Sequence, residues 1–213
     1  MGQIEDSPEL MNGRRERSKA ANRAAILAAG RATFAELGFE AATVRDIIRR
    51  TDLAAGTFYN YFRSKEEIYR ALKDDSAARF REMLRSVRRE AETFEDYVRM
   101  SFGAFFQLLH EENLEDGADM AARRPPVRTD TPAMRAVFVE VCDTYKDAID
   151  RGLTPPFDVE LLAAANSGLA LELGRVMLSR RPRDIAGTTE FATNLVLCGL
   201  LKLAETPRDD PSE

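Results

Sequence analysis

The chain has 213 residues, 44% hydrophobic and 31% charged, with a formal net charge of −5. That length can hold a sizeable core in one or two domains, and the apolar share excludes a wholly disordered or collagen-like chain. No apolar run approaches the roughly 18 residues that cross a bilayer, and the polar, acidic segment 1–13 is not a secretory signal. The two cysteines, Cys142 and Cys198, fit no metal-ligand spacing and read as buried thiols. These features point to a cytoplasmic protein with no membrane partner.

The hydrophobic period is helical almost throughout, with no sustained strand-type alternation. Residues 1–18 lack an apolar face and read as a flexible tail. Its basic cluster, Arg14, Arg15 and Arg17 with Lys19 just beyond, suits an arm along a minor groove or phosphate backbone. A helix over 19–37 follows, with Ile26, Leu27, Gly30, Phe34 and Leu37 on one face. Gly38 stands where a left-handed residue ends a helix, and Phe39 supplies the apolar contact after it. Thr43 and Asp46 have capping-box spacing and open a short helix to about residue 50, buried through Val44, Ile47 and Ile48. Thr51, Asp52 and Leu53 make a tight connection to a second short helix over 54–61. Ser64 and Glu67 form another box, opening a long helix to about residue 89 striped by Ile68, Leu72, Phe80, Leu84 and Val87.

Thr93 and Asp96 start the next helix, with Val98, Phe102, Phe105, Phe106 and Leu109 on its apolar side. A short helix is expected over 114–122. Thr131 followed by Pro132 reads as an N-cap with an N1 proline; Gly152 stops that helix. Asp158 caps another, which Pro182 ends. The last helix spans about 185–204, and 206–213 form a polar tail. The expectation is an all-α chain of about nine helices: a helical unit over 19–63 and a second over 64–205.

Two short helices joined by a three-residue turn, after a longer supporting helix, make a helix-turn-helix candidate. The second must enter a major groove about 12 Å wide, so it must be slim and carry hydrogen-bonding groups without bulky acids. Its outer face offers Thr57, Tyr59, Asn60 and Tyr61, with Gly56 allowing close backbone approach. Phe58 and Phe62 point inward, and no acidic residue lies between Leu53 and Ser64.

These residues resemble a known family. Thr43-Val-Arg-Asp-Ile-Ile-Arg-Arg, then Gly56-Thr-Phe-Tyr-Asn-Tyr-Phe-Arg-Ser-Lys-Glu66, with Phe34-Ala-Glu-Leu-Gly-Phe39 upstream, is similar to the TetR/AcrR family of bacterial transcriptional regulators. The resemblance covers about residues 20–70. It implies an all-helical homodimer: the first three helices bind DNA, the fourth links the domains, and the remainder holds a ligand pocket and the dimer interface. Carried over, it implies that Thr43 contacts phosphate at its helix N-terminus. Arg45 reaches toward a base edge. Gly56, Thr57 and Asn60 face the groove, Tyr59 and Tyr61 donate to phosphate, and Lys65 adds a charge-assisted phosphate contact. Two departures stand out. Asp52 replaces the glycine of the family's turn, and Asp tolerates a left-handed conformation better than most residues. Ala54 removes the hydroxyl that usually caps the reading helix, a loss of about 1 kcal/mol.

In the second unit, Phe102, Phe105, Phe106, Leu109, Met134, Phe138, Val141 and Tyr145 are candidates to line a pocket for a small hydrophobic effector, with His110, Tyr145 and Asn166 as polar groups. Asn166 sits in an otherwise apolar helix and needs a partner or a ligand. The dimer candidates are Leu162, Leu169, Leu173 and Val176 on one helix and Phe191, Leu195 and Cys198 on the last, forming four helices about a two-fold axis.

The competing classes are an enzyme and a helical dimeric interaction or small-molecule-binding protein with weak or lost DNA binding. The single histidine, His110, has no nucleophile motif around it, and no glycine-rich phosphate loop appears. The acids Glu111, Glu112, Glu115 and Asp116 beside it read as a solvated helix end rather than a metal site. No cofactor is implied. The favoured reading is a regulator, commonly a repressor in this family, that binds a palindromic operator and is released by its effector. Charge distribution supports it. Residues 14–65 carry eleven Lys/Arg against five Asp/Glu, a net +6, so the remainder carries −11.

Overall fold

A computed structural model describes residues 8–112 and 131–205, and among them every regular element is a helix. In chain order these are α1 (Pro8–Ala41), α2 (Val44–Arg49), α3 (Ala55–Tyr59), α4 (Lys65–Glu90), α5 (Phe94–Glu112), α6 (Pro132–Asp150), α7 (Val159–Ser179) and α8 (Ile185–Glu205). The helix expected over 114–122 lies outside the described residues. The chain forms two compact units that divide within α4, after Lys73.

The first unit closes around Ile26, Leu27, Phe34, Phe39, Ile47, Phe58, Phe62, Ile68 and Leu72. The α1 stripe meets the start of α4 at Gly30, where a Cβ would lie 2.6 Å from Ile68 Cγ2. Glycine is thus a packing requirement at that crossing. Gly38 adopts φ 76°, ψ 158°, a backbone region essentially restricted to glycine. There the chain turns and sets Phe39 against Phe34 and Tyr69, with ring centroids 5.4 and 5.1 Å away.

Two expectations for this unit are corrected. From Pro8 onward the basic segment is the first turns of α1 rather than a flexible arm. Its residues are mostly good helix formers with no proline after Pro8, and extending an existing helix is far easier than nucleating one. Arg15, Arg17 and Lys19 are exposed on it, and Arg17 Nε donates to the Gly13 carbonyl at 3.1 Å. Asp52 does not use a left-handed conformation, since no described non-glycine residue has positive φ. Thr51 holds the turn instead: its hydroxyl donates to the Ile48 carbonyl at 2.9 Å and accepts from Leu53 N at 3.4 Å.

In the second unit α5 packs on α7 and α8, and α7 on α6 and α8. Phe80 of α4 meets Phe105 edge-on at 5.2 Å. Local caps define the starts: the Thr93–Asp96 box for α5, Thr131 with Pro132 for α6, and Asp158 for α7. At Gly174 an added Cβ would collide with Leu109 Cδ1, so glycine lets α7 lie close on α5. By length and composition α7 is apolar enough to cross a membrane, contrary to the expectation that no such run exists. Its buried side, including Ala163, Asn166, Gly174, Met177 and Leu178, belongs to this unit's interior. The two thiols also differ from expectation: Cys142 is buried, but Cys198 is exposed on α8.

Candidate nucleic-acid interface

The reading unit is built from local caps and long-range anchors. Thr43 in extended conformation caps α2. Its Oγ1 accepts from Asp46 N at 3.3 Å, and the Asp46 carboxylate accepts from Thr43 N at 3.0 Å and from the Thr43 hydroxyl at 2.5 Å. These bonds from Thr43 hold the Asp46 carboxyl below its ordinary pKa, helped by the nearby Arg49 and Arg50. The Thr43 hydroxyl proton is therefore committed to Asp46. Arg45 projects exposed from the first turn with no ion pair or hydrogen bond among the described residues. Arg49 lies 3.8 Å from Asp46, and Arg50 pairs with Glu36. Arg45 thus differs from its neighbours in having no internal partner.

Helix α3 is held from below by Phe58 and Phe62, both buried, with the Arg23 guanidinium 5.6 Å from the Phe62 ring centroid. Gly56, Tyr59 and Asn60 are exposed, Tyr59 to 51%, and Thr57 is half-buried. Nothing lies within 4 Å of a Cβ built at Gly56. Ala54 has the extended geometry of an N-cap but makes no side-chain cap bond. Tyr61 is less free than expected, because its hydroxyl accepts from Asn22 Nδ2 at 3.2 Å. Asn22 stands one turn before Ile26 on the α1 stripe; that spacing was visible in the sequence as a polar residue on the buried side.

Lys65 has a different task from the one expected. Its ammonium donates to the carbonyls of Phe39 (2.8 Å), Glu40 (3.1 Å) and Ala42 (3.2 Å). An ammonium has three protons, so the expected phosphate contact gives way to a cap on the end of α1.

The effector candidates fall into two groups. Phe102, Phe106, Leu109 and Tyr145 are buried in one cluster, with Phe105, Phe138 and Val141 half-buried against it. Met134 is exposed on α6. Asn166 finds its partner inside the protein, donating to the Tyr145 hydroxyl at 2.5 Å. Desolvation pushes the Tyr145 hydroxyl above its ordinary pKa, so it stays neutral. His110 is half-buried, and its Nδ1 has no partner among the described residues. No group of His, Cys, Asp and Glu among the described residues could hold a metal ion.

The dimer candidates divide likewise. Phe191 (58% exposed), Leu195 and Cys198 are open on α8. Leu162, Leu169 and Leu173 pack partly against the unit's own core, and Val176 is half-buried. The open side of α7 also carries Leu161 (69% exposed), Ala164, Ala165, Gly168 and Leu171. These recur every three to four residues, one face of a helix.

Short α2 and α3, a capped turn and a bare outer α3 face define a helix-turn-helix DNA-binding protein. Comparison with known proteins agrees. Residues 26–72 match the model of bacterial regulatory proteins of the tetR family. The HTH-type transcriptional regulator UidR of Escherichia coli K12 is 29% identical over 180 residues, 81% of this chain and 88% of UidR. The HTH-type transcriptional repressor KstR2 of Rhodococcus jostii is 36% identical over 90 residues, 40% of this chain and 44% of that one. Among solved structures, the fatty acid degradation regulator FadR of Bacillus halodurans superposes with a TM-score of 0.69 at 22% identity, covering 84% of this chain and 95% of FadR. FadR of Bacillus subtilis, solved with stearoyl-CoA, also gives 0.69, at 21% identity, covering 82% and 97%. Over residues 26–72 the chain thus matches the tetR family of bacterial regulatory proteins, and over most of its length it is similar to HTH-type transcriptional regulators.

Proposed function

We propose that this chain is a cytoplasmic, dimeric repressor that binds a palindromic operator and is released by a small hydrophobic effector held in its second unit. The observation that carries the DNA half is the open face of α3. Gly56, Tyr59 and Asn60 are exposed, no acid occurs from Leu53 to Ser64, and Arg45 stands unpaired nearby. Arg45 reads a base edge while Tyr59 and Asn60 position the helix on phosphate or base. The missing cap at Ala54 and the engagement of Lys65 leave fewer phosphate contacts than the family pattern implies, and so a lower affinity.

The apolar faces of α7 and α8 support the dimer. Leu161, Leu171, Phe191, Leu195 and Leu201 are exposed large hydrophobics, and Gly168 and Gly199 leave open space for a partner helix. A two-fold pair of reading heads sets half-sites one helical turn, or a small multiple, apart. The Phe-rich interior around α5 suits an apolar effector, and the structural neighbour FadR of Bacillus subtilis was solved with stearoyl-CoA, whose acyl chain is apolar. Release requires that the effector bind the two states with different affinity.

Selection of bound duplexes from a random pool tests the reading. A palindromic consensus is expected, and no enrichment at low salt overturns it. Adding effector to the bound operator should then lower duplex anisotropy.

A further inference from the structure

A side-chain hydrogen bond joins α1 to the chain just past α3. Asn22 Nδ2 donates to the Tyr61 hydroxyl at 3.2 Å, across 39 residues of sequence. The Tyr61 ring packs against the core of the first unit, and both residues are half-buried. Beside them the Arg23 guanidinium lies 5.6 Å from the Phe62 ring centroid. Arg23 is exposed and has no ion pair among the described residues. No acid occurs from Arg17 to Ala35 or from Leu53 to Ser64, so two acid-free stretches meet at this contact.

A phenol hydroxyl both donates and accepts, and it has a single proton to give. Packing holds the Tyr61 ring, so rotation about its C–O bond is the freedom left to that proton. Asn22 presents an N–H to the oxygen, which repels the phenolic proton from that side. The proton therefore points away from Asn22, and it has no acceptor among the described residues. An acceptor from outside completes the arrangement. A hydroxyl donor beside an unpaired guanidinium, with no acid in either stretch, suits an anionic oxygen. Tyr59 and Asn60, exposed next to Tyr61, place that oxygen on the duplex rather than on a free anion.

We propose that Asn22 is a positioning residue for DNA binding: it sets the Tyr61 hydroxyl as a donor to a phosphate oxygen of the duplex, with Arg23 supplying charge beside it. Asn22 itself touches no phosphate and acts through Tyr61. This rests on the reading that the first unit binds duplex DNA, and it gives α1 a defined part in that contact.

The test is a double-mutant cycle in the full chain, Asn22→Asp with Tyr61→Phe, read by anisotropy titration of the palindromic duplex recovered by selection. A carboxylate at position 22 keeps a hydrogen bond at the crossing but reverses it, taking the Tyr61 proton away from phosphate. It also repels DNA, and the Tyr61→Phe background measures that repulsion alone. Tyr61→Phe by itself should weaken binding about fivefold, the effect of one hydrogen bond. Asn22→Asp should cost about fivefold more in the parent than in the Tyr61→Phe background. If the bond merely clips α1 to α3, Asn22→Asp preserves the clip and costs the same in both backgrounds. Equal costs, or no loss in Tyr61→Phe, overturns the proposal. Arg23→Gln is read separately: it should lower the salt slope of binding by about one, and an unchanged slope overturns the place given to Arg23. A parent chain that binds no duplex overturns the regulator reading and this proposal with it; a parent that binds, with equal costs in the cycle, overturns this proposal alone.

Discussion

Lys65 both donates to the Phe39 carbonyl at 2.8 Å and sits 4.7 Å from the centroid of the Phe39 ring. The first residue of α4 therefore closes the end of α1, satisfying carbonyls that the turn at Gly38 leaves without helical partners. Lys65→Met keeps the stem and removes the donors. Destabilisation of about 1–3 kcal/mol is expected, seen as a lower denaturation midpoint. The salt dependence of DNA binding by the folded variant should be unchanged, because the ammonium is not spent on phosphate. A slope reduced by about one would assign Lys65 to the phosphate instead.

Arg45 gives the opposite pattern. It has no internal partner, so Arg45→Ala should leave the thermal midpoint within about 0.5 kcal/mol of the parent. Operator binding should weaken by about 1–3 kcal/mol, with relaxed preference at one base pair per half-site if the side chain reads a base. Competition among operators altered at single positions measures this. Uniform weakening at every position would place Arg45 on the phosphate backbone.

Ala54 has cap geometry without a cap. Ala54→Ser supplies an oxygen for a free N–H at the start of α3 and should add about 1 kcal/mol of stability. It also adds a hydroxyl at the start of the helix proposed to read DNA, so operator affinity should rise with it. Chemical denaturation and duplex titration of the same variant check both.

The local features of the fold were legible and the distant ones were not. Capping at Thr43, Thr93, Thr131 and Asp158 joins residues three apart, so residue type and spacing suffice to find it. Lys65 reaches carbonyls 23 to 26 residues away, and Asn22 reaches Tyr61 across 39. Nothing in either local pattern names such a partner. Asn166 shows the middle case: its need for a partner was evident from its apolar helix, but Tyr145 as that partner required the packing of α6 on α7. On α7 the phase was not legible. Apolar residues occur nearly all round that helix, so periodicity could not separate Leu162 and Leu169, turned partly to the core, from Leu161 and Leu171, turned out.

The Thr43–Asp46 box predicts a pH dependence with a definite sign. The folded state holds the Asp46 carboxyl below its ordinary pKa, first through the Thr43 hydroxyl and then through the Thr43 N–H. The unfolded chain therefore takes up the proton first on acidification. The contribution is full above the ordinary aspartate range and is lost as pH falls through the lowered folded value. Carboxyl-resolved NMR titration should find Asp46 below a typical aspartate, and Thr43→Ala should return it toward the ordinary value. An unshifted Asp46 in the parent protein would show that the box is open in solution.

Gly30 carries the last prediction, because it tests the crossing that sets α1 against α4. A Cβ there would stand 2.6 Å from Cγ2 of Ile68, a residue with no exposed surface. Alanine favours the helix intrinsically by about 1 kcal/mol over glycine, so propensity alone predicts that Gly30→Ala stabilises. Overpacking costs typically 1–3 kcal/mol and should win here, since Ile68 is walled in by the core of the first unit. Ile68→Leu moves the branch from Cβ to Cγ and removes the colliding Cγ2. The double variant Gly30→Ala/Ile68→Leu should therefore recover much of the loss, with a coupling energy of about 0.5–3 kcal/mol in a double-mutant cycle. Additive effects would mean that α1 and α4 do not approach at Gly30 as described.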